Sequence, residues 1–452
     1  MNYFDTEDTI CAITTGGGMS AIAVIRISGN KAMNITNSIF SKDITSVESH
    51  TIHFGTIMHD KSVIDEVLVS VFRGNKSFTG EESIEISCHG SIYIQNKIMQ
   101  ALIDKGCRNA TAGEFTMRAF RNGKLDLSQA ESVADLIASE SRASHKTALK
   151  QLRGEFSNKL QELRTKLIDF ASLIELELDF SEEDVEFADR KQLENLLDII
   201  RLELKKLINS FKLGNVIKNG IPVAIIGAPN VGKSSLLNCL LNEDKAIVSD
   251  IEGTTRDAIE DELNIDGFKF RFIDTAGIRE TTDSIEHLGI ERTIEKAESS
   301  NIILFILDCN LNINNQLREL NKVKKESQEN ILIIANKIDL NNGRNKKLKN
   351  SIPISAKYNQ GIDNLKKELL KFVNTKELSN NDTIVTNLRH YEELQLTLNE
   401  INIVIEGINN GVTGDLLAVN IRQALFHLGS ITGEVNTETL LDNIFRNFCI
   451  GK

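Results

Sequence analysis

Tryptophan is absent from this 452-residue chain, and proline occurs only three times, at Pro222, Pro229 and Pro353. With so few prolines, linkers cannot be found by their usual punctuation. The six cysteines, Cys11, Cys88, Cys107, Cys239, Cys309 and Cys449, form no C-x-x-C pair and no metal-ligand spacing. That excludes a zinc ribbon and a disulfide scaffold, and the thiols read as reduced and cytoplasmic. No apolar stretch reaches the roughly 18 residues that a membrane-spanning helix needs, so no membrane association is expected. The opening residues, Met1 to Asp8, are acidic, unlike a secretory or organellar leader. Positive charge is also scarce: 52 Lys and Arg against 64 Asp and Glu give a formal net charge of −12. This balance excludes a chain that binds polyanions over its whole surface, but it permits a local basic patch. At 41% hydrophobic residues the chain can bury real cores, and its length predicts roughly two to four domains.

What is present is a complete set of guanine-nucleotide motifs in the middle of the chain. Gly227-Ala228-Pro229-Asn230-Val231-Gly232-Lys233-Ser234 fits G-x-x-x-x-G-K-[ST]. It follows the apolar run Val223–Ile226 and opens the helical pattern Ser235-Leu236-Leu237-Asn238, the strand–loop–helix context of a phosphate-binding loop. Backbone N–H groups of such a turn point donors at phosphate oxygens. Lys233 adds a positive charge at the β- and γ-phosphates, and the Ser234 hydroxyl suits Mg2+. Downstream, Asp274-Thr275-Ala276-Gly277 follows the strand pattern Phe270–Ile273. Asp274 can reach Mg2+ through water, and the Gly277 N–H can bind the γ-phosphate. Asn336-Lys337-Ile338-Asp339 follows Ile331–Ala335. An Asp339 carboxylate accepts from both N1–H and the 2-amino group of guanine, donors that adenine lacks. Ser355-Ala356-Lys357, after Ile352-Pro353-Ile354, would set a backbone N–H at guanine O6. Between the first two motifs, Gly253-Thr254-Thr255-Arg256-Asp257 offers Thr255 as a Mg2+ ligand that engages with the γ-phosphate and lets go after hydrolysis.

In Ras-type GTPases a Gln after the D-x-x-G glycine orients the attacking water; here that position is Ile278. Another group must place the water, and an arginine finger or an equivalent cation must neutralise the transition state. Arg256 and Arg279 are near in sequence, and the residues alone do not choose between them and another cation.

Outside the motifs, residues 1 to about 118 alternate strand-like runs (Ala21–Ile25, Glu66–Val71, Ser83–Ile86) with the helical run Ile92–Lys105, an α+β pattern. From Ser128 the period is helical: Ala130, Val133, Ala134 and Ile137, then Leu160, Leu163, Leu167, Phe170, Leu173 and Ile174 share apolar faces. The acidic run Asp179–Asp189 interrupts this as a solvated loop. Helical periodicity returns near the end, where Leu416, Leu417, Ile421, Ala424, Leu425 and Leu428 share a face. The predicted fold is multidomain α/β: an α+β domain over 1–118, a helical domain formed by 119–215 and 376–452, and an α/β nucleotide domain over 216–375 inserted into it.

With these elements placed, the whole chain resembles the MnmE (TrmE) family of tRNA-modification GTPases. The resemblance rests on Arg26-Ile27-Ser28-Gly29, Phe78-Thr79-Gly80-Glu81, Gly113-Glu114-Phe115-Thr116, Lys124-Leu125-Asp126-Leu127, the nucleotide motifs, and the terminal Phe448-Cys449-Ile450-Gly451-Lys452. It implies a tetrahydrofolate-binding N-terminal domain that dimerises, an all-helical domain, and an inserted Ras-like domain. It implies a homodimer working with the flavoprotein MnmG, which uses FAD and NADH, in a heterotetramer. That complex would add an aminomethyl or carboxymethylaminomethyl group at C5 of the wobble uridine of certain tRNAs. The one-carbon unit would come from 5,10-methylene-tetrahydrofolate, for which the 5-formyl compound is an analogue, and GTP hydrolysis would drive conformational change.

The same resemblance implies that K+ replaces the arginine finger, held by Asn230, Ser249, Ile251 and Thr254, and that Glu286 orients the water. GTP contacts would come from Asn230, Val231, Gly232, Lys233, Ser234 and Ser235, from Ser249, Thr254 and Thr255, and from Asp274, Thr275, Ala276 and Gly277. Asn336, Lys337, Asp339, Ser355, Ala356 and Lys357 would hold the base. Arg26, Glu85, Lys124 and Lys452 would line the folate site, with Cys449 near the one-carbon unit. The turn Gly16-Gly17-Gly18 would lie close by; Thr14-Thr15 ahead of it, Met19 after it and His89-Gly90-Ser91 depart from the family pattern. Two other readings stay open: a regulatory GTPase of the ribosome-assembly type, which shares the hydrophobic residue at Ile278, and a stand-alone folate enzyme under GTP control. The folate-site charges and the Cys449 tail speak against the first, and a requirement for the flavoprotein would exclude the second.

Overall fold

The computed structural model describes residues 8–179, 190–244, 261–273, 300–312, 315–318, 320–321, 330–340, 350–372 and 383–452. The chain divides into two compact units: Met1–Ala138 with Ala148–Lys205 and Glu392–Lys452, and Ser139–Thr147 with Lys206–Tyr391.

In the first unit, β1 (Thr9–Ile13), β2 (Ile22–Ser28), β3 (Thr51–His59), β4 (Ser62–Phe72), β5 (Ser83–His89) and β6 (Cys107–Asn109) form one sheet in the order β3-β4-β5-β2-β1-β6. Its pairings are antiparallel except for β1 with β6. Alternation along each strand sorts the side chains between two faces. Cys11, Ile25, Ile27, Val69, Val71, Ile84 and Ile86 are buried with residues of α1 (Ala32–Ile39) and α2 (Ile92–Asp104). On the other face the register lines up Ala12, Arg26, Glu85, Ser70 and Ile52 across five strands. α3 (Glu114–Arg121) covers the β1 end of that face, where Phe115 packs with Ile10, Ala12 and Ala110. Towards the β3 edge, Ile52, Phe54 and Leu68 stay exposed.

Helices complete this unit: α4 (Leu127–Ile137), α5 (Arg142–Leu152), α6 (Glu155–Asp179), the start of α7 (Arg190–Asn219), and the helices of Glu392–Lys452. α5, α7 and the helix Leu388–Asn409 are each divided between the two units. A capping box starts α4, with the Asp126 side chain accepting from the Gln129 N–H and the Gln129 side chain from the Asp126 N–H. Leu160, Leu163, Leu167, Phe170 and Ile174 are buried, as their spacing predicts, and α6 packs on the later helix Gly414–Thr432. The acidic run is described only at its first residue, Asp179; 180–189 lie outside the described residues.

In the second unit, β7 (Ile221–Ile226), β8 (Asp261–Ile265), β9 (Phe268–Phe272), β10 (Ile302–Asp308), β11 (Asn330–Asn336) and β12 (Ser351–Pro353) form a sheet in the order β12-β11-β10-β7-β9-β8. Every pairing is parallel except the β8–β9 hairpin. β10 is buried at every residue. Leu304 and Ile306 join one core with α8 (Lys233–Asp244) and α9 (Ile362–Lys371), while Ile303, Phe305 and Leu307 join another with Leu320. A parallel strand covered on both faces shows no alternation, which is why β10 carries no period-2 signal in the sequence.

The remaining helices are α10 (Leu388–Asn409), α11 (Gly414–Thr432) and α12 (Glu438–Phe445). Glu393 accepts from His427 at 2.7 Å and Glu400 from Asn420 at 2.7 Å, so α10 and α11 run side by side. Two members of the predicted apolar faces stand outside them. Leu416 is exposed because the buried set Leu417, Ile421, Ala424 and Leu428 is centred one residue, about 100°, away from it. Ile137 is exposed at the last turn of α4.

Phe305 is 1% exposed in the second core. Phe305→Ala should destabilise its unit by about 3–5 kcal/mol through lost burial and a residual cavity. The readout is the denaturant midpoint of the transition followed by a probe in that unit, and an unshifted midpoint would contradict this packing.

Candidate functional site

Parallel α/β sheets bind ligands at the carboxyl ends of their strands, and the nucleotide motifs sit there. β7 ends at Ile226, the loop follows, and α8 opens at Lys233. The loop path leaves no room for a side chain at position 232: Gly232 has φ +102°, and a Cβ there would lie 2.2 Å from Asn336 Nδ2. Asn230 also takes a left-handed backbone, φ +60°, a conformation that marks constrained sites. Lys233 Nζ donates to the carbonyls of Gly227 at 2.7 Å and Ala228 at 2.9 Å, so the ammonium is held over the loop. Ser234 and Ser235 lie in the first turn of α8, Ser234 half-buried and Ser235 exposed.

The predicted base-recognition residues are tied to this loop. Asn336, 2% exposed, donates through Nδ2 to the Val231 carbonyl at 2.8 Å and accepts at Oδ1 from the Ala356 N–H at 3.1 Å. One carboxamide therefore joins the phosphate loop to the Ser355–Lys357 loop. Lys337, itself at φ +62°, donates to the Asn230 carbonyl at 2.7 Å and pairs with Asp308 at 2.8 Å. Asp339 accepts from Ser355 Oγ at 2.5 Å. Lys357 projects over the Tyr358 ring. Burial pushes the Asp308 carboxyl upward, but the Lys337 bond and the Asn310 donors outweigh it, leaving the group below its usual range. Ser249, Ile251, Thr254, Thr255, Asp274, Thr275, Ala276, Gly277 and Glu286 lie outside the described residues, as do Arg256, Ile278 and Arg279.

The predicted folate-site residues lie in the first unit. Arg26 and Glu85 are cross-strand partners, with Arg26 Nε donating to Glu85 Oε1 at 2.9 Å. The guanidinium stands 5.6 Å from the ring centres of both Phe78 and Phe115. The C-terminal tail reaches the same place through its backbone. The Phe115 N–H donates to the Lys452 carbonyl at 3.1 Å, the Gly113 N–H to the Cys449 carbonyl at 3.3 Å, and Ile450 bridges Ala112. Gly451 has φ +94°, and a Cβ there would meet the Ile13 carbonyl at 2.7 Å. Cys449 is exposed. Arg26, Glu85 and the Cys449–Lys452 tail thus converge around Phe115. Lys124 is not joined to this group by its hydrogen bond, which it donates to the Asn75 carbonyl at 2.7 Å.

Sequence reasoning missed what holds these residues. Arg118, 2% exposed, donates to Asp8 at 2.5 Å, Glu114 at 3.1 Å and Glu81 at 3.3 Å. Arg108 adds a bond to Glu114 at 2.6 Å, and Ser28 donates to Glu81 at 2.7 Å. Burial raises the Glu114 pKa, yet the Arg108 bond, the Thr111 N–H and the two guanidinium charges hold it below its usual value. Glu81, Glu114 and Ser28 stand within the quoted motifs, and Arg118 one helical turn after Glu114 was the available signal. Asp308, the partner of Lys337, had no motif to announce it.

The metal and cofactor donors can be tested against this geometry. Among the predicted nucleotide ligands, the Ser234 hydroxyl in the first turn of α8 suits a phosphate-bound Mg2+. A carboxylate and a guanidinium flanked by two aromatic rings suit a ring that donates protons and a tail that carries carboxylates. No helix among the described residues is long and apolar enough to cross a membrane.

Comparison with known proteins adds the following. A family profile described as "MnmE helical domain" matches residues 127–449, and one described as "GTP-binding protein TrmE N-terminus" matches 9–124. The chain is 56% identical to a "tRNA modification GTPase MnmE" of Flavobacterium psychrophilum, with 99% of each chain covered. It is 51% identical to a protein of the same name from Bacteroides thetaiotaomicron, covering 99% of this chain and 100% of that one. Among solved structures, the FeoB G-domain from Methanococcus jannaschii matches at 26% identity and a TM-score of 0.26, covering 34% of this chain and 97% of that one.

The depressed Asp308 pKa fixes a pH dependence. A carboxyl with a lowered folded-state pKa stabilises above its unfolded value, about 3.9, and that stability is lost as pH falls through the folded value. Asp308→Asn should therefore lower the thermal midpoint of its unit at neutral pH, with the gap to the parent closing below about pH 4. A gap that stays constant down to strong acid would rule out this account of the Asp308–Lys337 pair.

Proposed function

This chain belongs to the MnmE family of tRNA modification GTPases, and we propose that it works as a K+-activated GTPase in building a C5 substituent on the wobble uridine of tRNA. It hydrolyses GTP in the service of tRNA modification. The finer reading is that, as a homodimer with the flavoprotein MnmG, it adds an aminomethyl or carboxymethylaminomethyl group. The one-carbon unit comes from 5,10-methylene-tetrahydrofolate, and FAD and NADH act through the partner. The observation that carries this reading is the convergence of the Arg26–Glu85 pair and the Cys449–Lys452 tail around Phe115.

The residues take separate tasks. Gly232 and its neighbours offer backbone N–H donors to the phosphates, and Lys233 neutralises their charge. Asp339, oriented by Ser355, accepts from the guanine edge. Ser234 and Thr255 would hold Mg2+, which would neutralise charge on the phosphates. Asn230, Ser249, Ile251 and Thr254 would hold K+, which supplies the charge an arginine finger gives elsewhere. Glu286 positions the attacking water, the task Ile278 cannot perform.

In the first unit Glu85 accepts protons of a folate ring, and Arg26, Lys124 and Lys452 hold its carboxylates. Cys449 presents an exposed thiol near the one-carbon unit. The exposed Ile52, Phe54 and Leu68 support a homodimer formed through the open face of the N-terminal sheet. The working division is a folate domain over 1–118, a helical domain over 119–215 and 376–452, and a GTPase domain over 216–375, acting in the cytoplasm.

The deciding experiment is nucleoside mass spectrometry of tRNA from a bacterium lacking its own family member, with and without this gene. Restored C5-aminomethyl-type uridine, lost again in Arg26→Ala and Cys449→Ser, is the expected result. A folded, GTP-hydrolysing chain that pairs with the host flavoprotein and restores nothing would favour a regulatory switch. In a separate assay, exchanging K+ for Na+ should slow GTP turnover by roughly tenfold or more, since the lost cation is worth at least about 1.4 kcal/mol of barrier. Equal rates in the two salts would remove Asn230 from its proposed role.

A further inference from the structure

The run Ser141–Gly154 contains no Asp or Glu, in a chain where acids outnumber bases, yet it carries Arg142, His145, Lys146, Lys150 and Arg153. It folds as α5, and the Arg153 N–H still donates to the Leu149 carbonyl at 3.1 Å, so the helical bonding extends to that residue. At about 100° per residue, positions 142, 146, 150 and 153 fall within an arc of roughly 80°. Thr147, Ala148 and Gln151, on the opposite side, are buried, while Arg142, His145, Lys146 and Arg153 are exposed. The stripe is about 16 Å long, enough to meet several consecutive phosphates.

Two features separate this stripe from an ordinary solvated face. Its cations are poorly compensated: Lys150 pairs with Glu155 at 3.3 Å, but among the described residues Arg142, Lys146 and Arg153 have no ion-pair partner. The preceding acid, Glu140, is occupied by Lys269 at 2.7 Å. Moreover, Arg142 opens the helix and no acid stands in its first turn, so positive charge sits at the positive end of the helix dipole. A sequence chosen for helix stability would place Asp or Glu there; a local conflict of this kind marks a position kept for another purpose.

We propose that this basic face of α5 docks the phosphate backbone of tRNA, an inference that rests on the reading that the chain acts directly on tRNA. The net charge of −12 repels a polyanion from much of the surface, so a basic stripe of this kind offers RNA a place to approach. Arg142 and Arg153 at its ends can each grip a phosphate with two N–H groups, and Lys146 and Lys150 add charge between them.

The test titrates labelled tRNA with the full-length chain and with the triple variant Arg142→Gln, Lys146→Gln, Arg153→Gln. None of these residues belongs to the nucleotide or folate machinery, so basal GTP hydrolysis and the thermal midpoint should be unchanged. The Kd should rise about tenfold or more, and the slope of log Kd against log salt should fall by about 2 to 3, one for each lost phosphate contact. The charge-preserving set Arg142→Lys, Lys146→Arg, Arg153→Lys should keep the parent slope. A triple variant with the parent's affinity and slope would overturn the docking site while leaving the tRNA reading intact. A parent chain that binds no tRNA, alone or with the flavoprotein, would sink both. Loss of flavoprotein binding with tRNA affinity kept would reassign the stripe to an acidic protein surface and overturn the proposal. Should the triple variant fold poorly, acetylation of Lys146 in the parent supplies the answer: protection by tRNA is expected, and equal labelling with and without tRNA refutes the site.

Discussion

The nucleotide site depends on a single buried carboxamide. Asn336 ends a strand of the central sheet, and both ends of its amide are used, one on the phosphate loop and one on the loop after β12. A buried amide that loses one partner costs about 1–3 kcal/mol, so the two loops are held to one geometry rather than merely placed near each other. The same side chain dictates glycine at position 232, because it fills the space a Cβ would take. Lys337 reinforces the arrangement from the next residue, bonding the Asn230 carbonyl while Asp308 neutralises it. The loops proposed to bind guanine and phosphate are therefore one mechanical unit, and the Asn-Lys-x-Asp motif braces the phosphate loop as well as offering its proposed contact to the base.

The folate-site candidates are organised differently. Their side chains come from a sheet face, a helix start and the chain terminus, and a buried ionic cluster around Arg118 and Glu114 ties those parts together. Such clusters seldom add net stability, since desolvation offsets much of the attraction. Their use is geometric: Glu114 and Arg118 fix the helix that carries Phe115, and Phe115 is where Arg26 rests and where the tail docks. A substitution at Arg118 would therefore act on the Arg26 site without touching any ligand.

Legibility in the sequence followed the range of the interactions. The phosphate loop, the strands before each motif and the helical faces of α6 and α11 are local patterns, and most of their residues read correctly from spacing alone. Leu416 did not, because membership of a face is decided by the packing partner and not by the period. β10 was silent because both of its faces are covered. Arg26 and Glu85 are 59 residues apart and became a pair only through strand register; without the resemblance, each was an ordinary surface charge. The Arg118 cluster spans still longer separations, and nothing short of the fold could assemble it.

The two sites also differ in what they leave unfinished. The phosphate loop is specified by backbone, so almost any side chain added at Gly232 is excluded and the site tolerates little change. Around Phe115, by contrast, the tail's backbone is pinned at Cys449, Ile450 and Lys452 while the Cys449 side chain is left exposed. A thiol that only filled space would be buried, as Cys11, Cys88, Cys107 and Cys309 are. Fixing the main chain while freeing the sulfur is the arrangement a reactive group requires, because position is held by others and access is kept. On the role proposed for Cys449, shortening the tail by one residue should lower wobble-uridine modification more than changing the thiol's neighbours. The Lys452 carbonyl, not a side chain, receives the Phe115 N–H that seats the tail.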